Sequence, residues 1–599
     1  MARKRIMASL SAVVLATMGC LFLAALVPML FGGGISPSSV TSSGVQASPR
    51  DLYAIEQPLR LADAPNLLLL SGRLFSDPQA SPKGQTKLVL DHPVLELETS
   101  GPAAASGERR SALTAASSDI VAVLLERLVS GGYDTLEVRK GTAVLKSAGV
   151  VAETLTDIST TLTLPRRNNL VAQGAFTVGG LRMEFDGSVG LTGDKTGAKG
   201  VPMPVRLTLR SAAVQATLDG KLDVSGPLAL AGQIDASIPR LWQFARWLGI
   251  AAPETTALKD IAIKSQLNWA KGVMSFDKAA VALDGQQATG ALSLNYRGGR
   301  PALEGTLAFA SFDVAPYLQT MMPDNGPIDA LAAAWPAIET RLPLVLHADA
   351  DLRVSTPKLQ LAGAQLGRGA ATLSTRSGLL HADIAELEII GVKSTMQVSA
   401  DMNGAYPRYG VRGRLELANA GSLLAGLIDR ELLEGRAVAQ IDVTGTGDTF
   451  GQLLRSATGK GGLAATQGVR MAGDLKALGP FARDFAKPPQ REPGWGPIAK
   501  GQSALDAFDF KFDIGNGAAV IKKGHIRSGG FDFEAAGRLD IVARHMDLQI
   551  RSQPVQPVVQ SPAAKAIKAA ELRDGDVIGL AGPWERPAIR ILASRLPHP

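Results

Sequence analysis

The sequence predicts a mainly β protein behind an N-terminal transmembrane helix, and three observations carry that expectation. A long apolar stretch follows a cation cluster at the N-terminus. Period-two alternation of apolar and polar residues recurs along the body. Gly (64) and Pro (35) are plentiful, while aromatics make up only 5% of the 599 residues. Many short strands joined by turns suit such a composition better than large helical bundles do.

The anchor comes first. Arg3, Lys4 and Arg5 precede an uncharged stretch from Ile6 to Phe31, and no further charge occurs until Arg50. As a helix, Ile6 to Phe31 would reach roughly 39 Å, enough to cross a hydrocarbon core about 30 Å thick. The cations on its N-terminal side predict a cytoplasmic N-terminus and export of the chain beyond Phe31. A cleaved signal peptide is the competing reading, but its apolar core is normally shorter and ends at a small-residue site. The only cysteine, Cys20, lies inside this stretch, so no intramolecular disulfide can form. Residues 35–60 begin with a Gly-, Ser- and Pro-rich run that reads as a spacer.

In the body, Leu162 and Leu164 alternate with Thr161 and Thr163. Leu181, Met183 and Phe185 alternate with Arg182, Glu184 and Asp186, and Val205, Leu207 and Leu209 with Arg206, Thr208 and Arg210. Phe508, Phe510 and Phe512 repeat the pattern with Asp509, Lys511 and Asp513. Such strands have one greasy and one wet face. Asp186-Gly187, Asp219-Gly220 and Asp284-Gly285 signal hairpins, and their spacings of 33 and 65 residues suggest an internal unit of about 33 residues with one copy degenerate. Helical spacing is confined to Asp119–Val129, Arg240–Leu248 and Ser422–Leu433, expected to cap or pack on a sheet. Pro327 and Pro336 interrupt the strand rhythm, so residues 323–345 are the expected boundary between β-rich regions 61–322 and 346–599.

Signs of catalysis are sparse. The six histidines are scattered, without the spacing of a zinc site, and no G-x-S-x-G elbow occurs. Asp540 and Asp547 flank His545 on what reads as a solvated strand face. Gly445 to Phe450 lacks the third glycine of a dinucleotide fingerprint, and Gly459-Lys460-Gly461 fails as a phosphate loop because position 454 is leucine. Both read as turns. Neither a catalytic residue, a cofactor nor a metal is expected. The excess of Lys+Arg (62) over Asp+Glu (55) lacks a basic run with stacking aromatics, so nucleic acid is not an expected partner.

Several segments carry a family resemblance. Leu136 to Val144 reads strand, glycine, strand. Tyr296 to Leu307 followed by Phe312-Asp313-Val314-Ala315-Pro316-Tyr317-Leu318 reads RP-x-L-x-G-x-L, then D-x-x-P-Y-L. Leu453 to Gly461, with its Gly459, precedes Gly468-Val469-Arg470-Met471-Ala472-Gly473-Asp474-Leu475, and Gly582-Pro583-Trp584 with Pro587 lies near the C-terminus. In this order the segments resemble the AsmA family of Gram-negative envelope proteins. The chain departs from the pattern at Ala457, where the family has leucine, and before Asp474, where it has an apolar residue.

The resemblance implies an inner-membrane anchor (1–34) and two AsmA-like β-rich regions in the periplasm. It also implies a role in outer-membrane lipid homeostasis, with phospholipid bound or conducted between membranes. The corresponding architecture is an elongated, curled antiparallel sheet forming a groove, closed by a few short capping helices. Leu181, Met183, Phe185, Val205, Leu207, Leu209, Phe508, Phe510 and Phe512 would line it. About 30 strands spaced some 4.8 Å apart would extend on the order of 140 Å. The alternative role is a non-catalytic factor assisting outer-membrane protein assembly, with an outer-membrane or envelope protein as partner.

Overall fold

The computed structural model describes residues 51–55, 58–61, 64–77, 87–98, 135–147, 150–165, 169–190, 201–223, 225, 229–247, 258–271, 273–297, 300–319, 340, 342, 348–361, 364–389, 392–417, 433–472, 474–475, 501–555, 577–583 and 588–593. These residues are mainly β, with few helices, and they fall into two units. The first lies within 1–308 and 347–352, the second within 309–346 and 353–599.

In chain order the first stretch comprises β1 (Asp51–Ile55), β2 (Leu59–Leu61), β3 (Ala64–Asp77), β4 (Lys87–Glu98), β5 (Thr135–Ser147), β6 (Val150–Thr163), β7 (Asn169–Val178) and β8 (Leu181–Gly190). It continues with β9 (Met203–Arg210), β10 (Gln215–Asp223), β11 (Ala229–Ile238), α1 (Leu241–Trp247), β12 (Ile261–Ala270), β13 (Val273–Leu283), β14 (Gln286–Arg297) and β15 (Arg300–Phe309). There follow β16 (Phe312–Asp313), α2 (Ala315–Gln319), β17 (Asp349–Leu361), β18 (Ala364–Arg376), β19 (Leu379–Ile389), β20 (Val392–Asp401), β21 (Arg408–Leu417), β22 (Leu433–Glu434) and β23 (Ala437–Thr446). The remainder is α3 (Phe450–Ser456), β24 (Thr458–Ala472), β25 (Gln502–Gly515), β26 (Ala518–Ser528), β27 (Phe531–Asp540), β28 (His545–Pro554), β29 (Val577–Pro583) and β30 (Ala588–Ala593). Most strands pair antiparallel with their sequence neighbours, while β4–β5 and β16–β17 are parallel.

Turn chemistry explains the meander. Gly179-Gly180, Asp284-Gly285, Ser377-Gly378, Asn516-Gly517 and Gly529-Gly530 all have positive φ at both residues. That geometry matches the twist of the flanking strands in two-residue hairpins. Of the three Asp-Gly dipeptides expected to make hairpins, only Asp284-Gly285 turns the chain. Asp186-Gly187 and Asp219-Gly220 lie inside β8 and β10, which corrects the hairpins expected there and leaves the 33-residue spacing without a repeated turn. Tertiary pairing overrides turn propensity at both places. Asp219 stands opposite Arg206 and bonds its guanidinium at 2.6 Å, while Gly220 faces Gly232 with no side chain on either strand.

Asp284 also ties the chain returning from α1 to this turn. Its carboxylate accepts from the amides of Leu258 (2.7 Å), Lys259 (2.6 Å) and Asp260 (3.2 Å). In β4, β5 and β6, His92, Lys140 and Asp157 hold positive φ, and at Lys140 and Asp157 the ladders slip register. Bulges of this kind bend a strand and sharpen its twist.

Of the expected helices, Arg240–Leu248 is observed as α1. Its Trp247 indole N–H donates to the Val178 carbonyl (3.0 Å), which seats the helix on the end of the β7–β8 hairpin. Residues 119–129 and 422–432 lie outside the described residues, and Leu433, expected in a helix, belongs to β22. Gly459-Lys460-Gly461, expected as a turn, runs inside β24. The turn expected over Gly445 to Phe450 is in part the start of α3, whose N-cap Thr449 side chain accepts from the Gln452 amide (3.3 Å) while Gln452 Oε1 accepts from the Asp448 amide (2.9 Å). This is a variant of the capping box in which Gln452 reaches one residue beyond the N-cap, legible in the spacing of Thr449 and Gln452.

Residues 1–50, with Arg3, Lys4, Arg5 and Ile6 to Phe31, lie outside the described residues. No helix among the described residues is long and apolar enough to cross a membrane.

Candidate functional site: an apolar sheet face

The alternation read from sequence becomes rows of apolar side chains crossing neighbouring strands. In the first unit Phe185 of β8 stands opposite Leu209 of β9, and Val189 opposite Val205. Leu207 then stands opposite Leu218 of β10, and Leu218 opposite Ile234 of β11. Met183, Phe185 and Leu209 are buried, whereas Leu181, Val205 and Leu207 are half-buried. All six therefore share one face. Period-two geometry requires this, because a one-residue slip would move every side chain to the other face.

In the second unit Phe508, Phe510 and Phe512 of β25 stand opposite Ala465, Leu463 and Gly461 of β24. On the other side Phe508 pairs with Ile526, and Phe510 with Gly524 of β26. The rings of Phe508 and Phe510 stack with centroids 4.7 Å apart. A Cβ at Gly524 would lie 2.5 Å from the Phe510 ring, so the glycine makes room for the phenylalanine. Gly461 does the same for Phe512. Ala465, Phe508 and Ile526, with Leu463 and Phe510 packed against them, join a core with Phe533, Ile550, Ile578 and Leu580.

The adjacent rows on β19–β23 differ. Met396, Val398, Val411, Ile441 and Val443 stand in register on one face, as Val398–Val411–Val443 and Met396–Gly413–Ile441. Each is only half-buried. Of the fully buried apolar residues here, Ala437 of β23 belongs to the core just described, against which Leu415 and Ala439 pack, while Ala400 and Met402 form a separate small cluster with Leu342, Leu380 and Tyr409. Leu342 and Thr340 are the described members of the expected boundary segment 323–345. Thr340 donates from its amide to the Asp448 carbonyl (2.9 Å) and from Oγ1 to the Gly447 carbonyl (2.7 Å), and its own carbonyl accepts from the Tyr409 hydroxyl.

The opposite face carries cross-strand ion pairs. Arg206–Asp219 (2.6 Å), Lys264–Asp235 (3.0 Å), Arg412–Asp442 (2.9 Å) and Arg527–Asp532 (2.7 Å) join residues directly opposite in the ladders. Exposed pairs of this kind add little stability but keep the face wet. Arg139, with Lys87, holds the Glu137 carboxyl at about 2. Arg527 lowers that of Asp532, helped by His525, whose Nε2 lies 3.1 Å away.

The family-like segments occupy structural positions. Pro316 and Tyr317 lie in α2, whose first amide is bonded by the Asp313 carboxylate (2.9 Å), and Tyr317 stacks on Phe312. Leu318 is in the same helix. Gly459 faces Val443 with φ 157°, and a Cβ there would overlap the Asp442 carbonyl oxygen. Gly468 sits at a register shift of β24 with φ 71°. The Leu475 amide donates to Ser503 Oγ (2.9 Å), and Asp474 packs beside Gly501. Gly582 and Pro583 close β29 opposite Met546 and His545. Gly473 and Trp584 lie outside the described residues.

Asp540 and His545 are cross-strand neighbours, but the Asp540 carboxylate is engaged by the Ala543 amide (2.8 Å) and His545 Nδ1 meets the Ala543 carbonyl (2.7 Å). That is a turn, with the geometry of a strand connection. Among the described residues no group of three His, Cys, Asp or Glu side chains could hold a metal ion. The β19–β23 rows were not singled out in the sequence, although Val411, Gly413 and Leu415 alternate with Arg412, Arg414 and Glu416 as clearly as the rows that were. Compared with known family models and with curated proteins, the chain matches none.

Proposed function

We propose that this chain is an AsmA-like protein of the Gram-negative envelope, anchored in the inner membrane by residues 6–31, with a cytoplasmic N-terminus and its bulk in the periplasm. In this reading it binds or conducts phospholipid along an apolar groove formed by a curled antiparallel sheet, and contributes to outer-membrane lipid homeostasis without catalysis. The observation that carries the reading is the half-buried row pattern of β19–β23, where valine, isoleucine and methionine line one face in register while charge pairs occupy the other. An acyl chain laid across such rows would remove apolar surface from water at about 25 cal/mol per Å². The order of the family-like segments supports the same reading.

The test is photocrosslinking in cells with the full chain. A photoreactive residue at Val398 or Ile441 should yield a phospholipid adduct, and one at Gln397 or Gln440, on the opposite face, should not. No adduct at the apolar positions, or equal adducts on both faces, sinks the proposal. In a deletion strain, lost outer-membrane lipid asymmetry with normal outer-membrane protein levels separates this role from protein assembly.

A further inference from the structure

One long edge of the second unit gathers features that the apolar face does not use. The turn between β18 and β19 and the loop between β20 and β21 are joined by the Met402 amide donating to the Gly378 carbonyl (2.9 Å). That loop is joined to the α3 approach by the Gly447 amide donating to the Pro407 carbonyl (3.0 Å). Further along, the end of α3 and the β25–β26 turn meet where Gly517 packs beside Arg455, and the Ile541 amide of the β27–β28 turn donates to the Gly517 carbonyl (2.9 Å). The strand connections thus form one continuous margin.

Large apolar residues on this margin face solvent. Leu379 is 51% exposed, Tyr406 60% and Val542 40%. Beside them are Arg376, directly opposite Leu379, then Arg408, two residues after Tyr406, and further along Arg455 and Arg544. None of these four arginines has an ion pair among the described residues, unlike Arg412 and Arg527 within the ladders. Asp401 stands between Leu379 and Arg408 in register, but its carboxylate accepts from the amide (2.9 Å) and Nδ2 (3.2 Å) of Asn403. Asp540 is taken by the Ala543 amide and Arg538. Asp448 is the remaining acid of the margin.

We propose that this margin docks on an anionic phospholipid bilayer surface. Single aliphatic and aromatic residues set among unpaired arginines, one or two per connection along a narrow line, fit a headgroup layer, where tyrosine rests at the interface and guanidinium meets phosphate. A compact protein partner would instead need a broad patch with a central packed anchor. The margin belongs to the second unit by itself, and its docking does not depend on lipid occupying the apolar face.

The experiment holds the full chain in phosphatidylcholine nanodiscs and adds separate vesicles of phosphatidylcholine with or without phosphatidylglycerol, followed by flotation. Binding should appear only with phosphatidylglycerol and fade with added salt. Replacing both Arg376→Gln and Arg408→Gln should weaken it roughly tenfold or more, since each cation near such a surface is worth about fivefold. The pair Leu379→Ser and Tyr406→Ser should weaken it less. The ion-paired control Arg206→Gln should leave it unchanged. An environment-sensitive dye at Tyr406→Cys should shift to the blue on anionic vesicles, whereas one at Thr217→Cys should not. Equal binding to neutral vesicles, no binding to either, or binding indifferent to the double arginine variant in a protein of unchanged circular dichroism would overturn the proposal.

Discussion

Two neighbouring stretches of the second unit are built from the same alternation and end differently. Over β24–β29 the apolar rows close into a core in which Phe508, Ile526, Phe533, Ile550 and Ile578 are buried. Over β19–β23 equally regular rows remain largely half-buried, Ala400 and Met402 forming a small cluster while Ala437 of β23 joins the core of the first stretch. The difference lies in side-chain size. The first stretch carries phenylalanines at 508, 510, 512, 531 and 533, set over glycines 461 and 524, so large rings fill the space that the glycines vacate. The second carries valine, methionine, isoleucine, leucine and alanine, with Tyr409 the one aromatic on those rows. Aromatic rings bury far more surface per residue, so a sheet face closes where they concentrate.

Cavity formation gives the sharpest way to break this comparison. Phe533, 1% exposed, should cost about 3–5 kcal/mol when changed to alanine, while Val398→Ala on the open rows should cost under about 1 kcal/mol, both read from urea unfolding of the full chain. Equal losses would mean that the two stretches are packed alike. Overpacking should act next. Gly524→Val places a Cβ against the Phe510 ring and should destabilise by about 1–3 kcal/mol, and Phe510→Leu in the same chain should recover part of it. The corresponding change on the open rows, Gly413→Val, should be milder because a Cβ there meets the Thr395 carbonyl oxygen at 3.0 Å and Met396 at 3.3 Å, looser contacts than the 2.5 Å at Gly524.

The smallest effect is electrostatic. Arg527, and secondarily His525, depress the Asp532 carboxyl on the wet face of the closed stretch. A carboxyl whose folded pKa lies below its unfolded value stabilises the fold above the unfolded pKa, and that contribution fades as pH falls through the folded one. Asp532→Asn should therefore flatten the loss of stability below about pH 4 by less than about 1 kcal/mol, as an exposed pair allows. A larger change would show that the wet face, too, differs in energy from that of the open stretch.

Much of the architecture was legible because a strand has only two faces. The rows Leu181–Met183–Phe185, Val205–Leu207–Leu209 and Phe508–Phe510–Phe512 needed nothing beyond local order to place their members together on one side. Asp284-Gly285 was legible for the same reason, since the turn is made by its own two residues. Asp186-Gly187 and Asp219-Gly220 were not, because the pairing of Asp219 with Arg206 and of Gly220 with Gly232 comes from other strands. Gly459-Lys460-Gly461 looked like a loop and is strand, its glycines being required by the close approach of Asp442 and Phe512. The Thr449–Gln452 cap is legible in local spacing alone, since both of its bonds join residues within four positions.

Alternation, glycine-rich turns and the short helix at 241–247 are properties of contiguous residues, so the sequence by itself determined that this body is a meander of two-faced strands. Which apolar rows close and which stay open depended on which strands set a ring opposite a glycine, as Phe510 stands opposite Gly524. The exposure of Leu379 and Tyr406 beside arginines without an ion pair among the described residues depended on which turns share an edge. Both are relations between separate strands, and only the tertiary structure decided them.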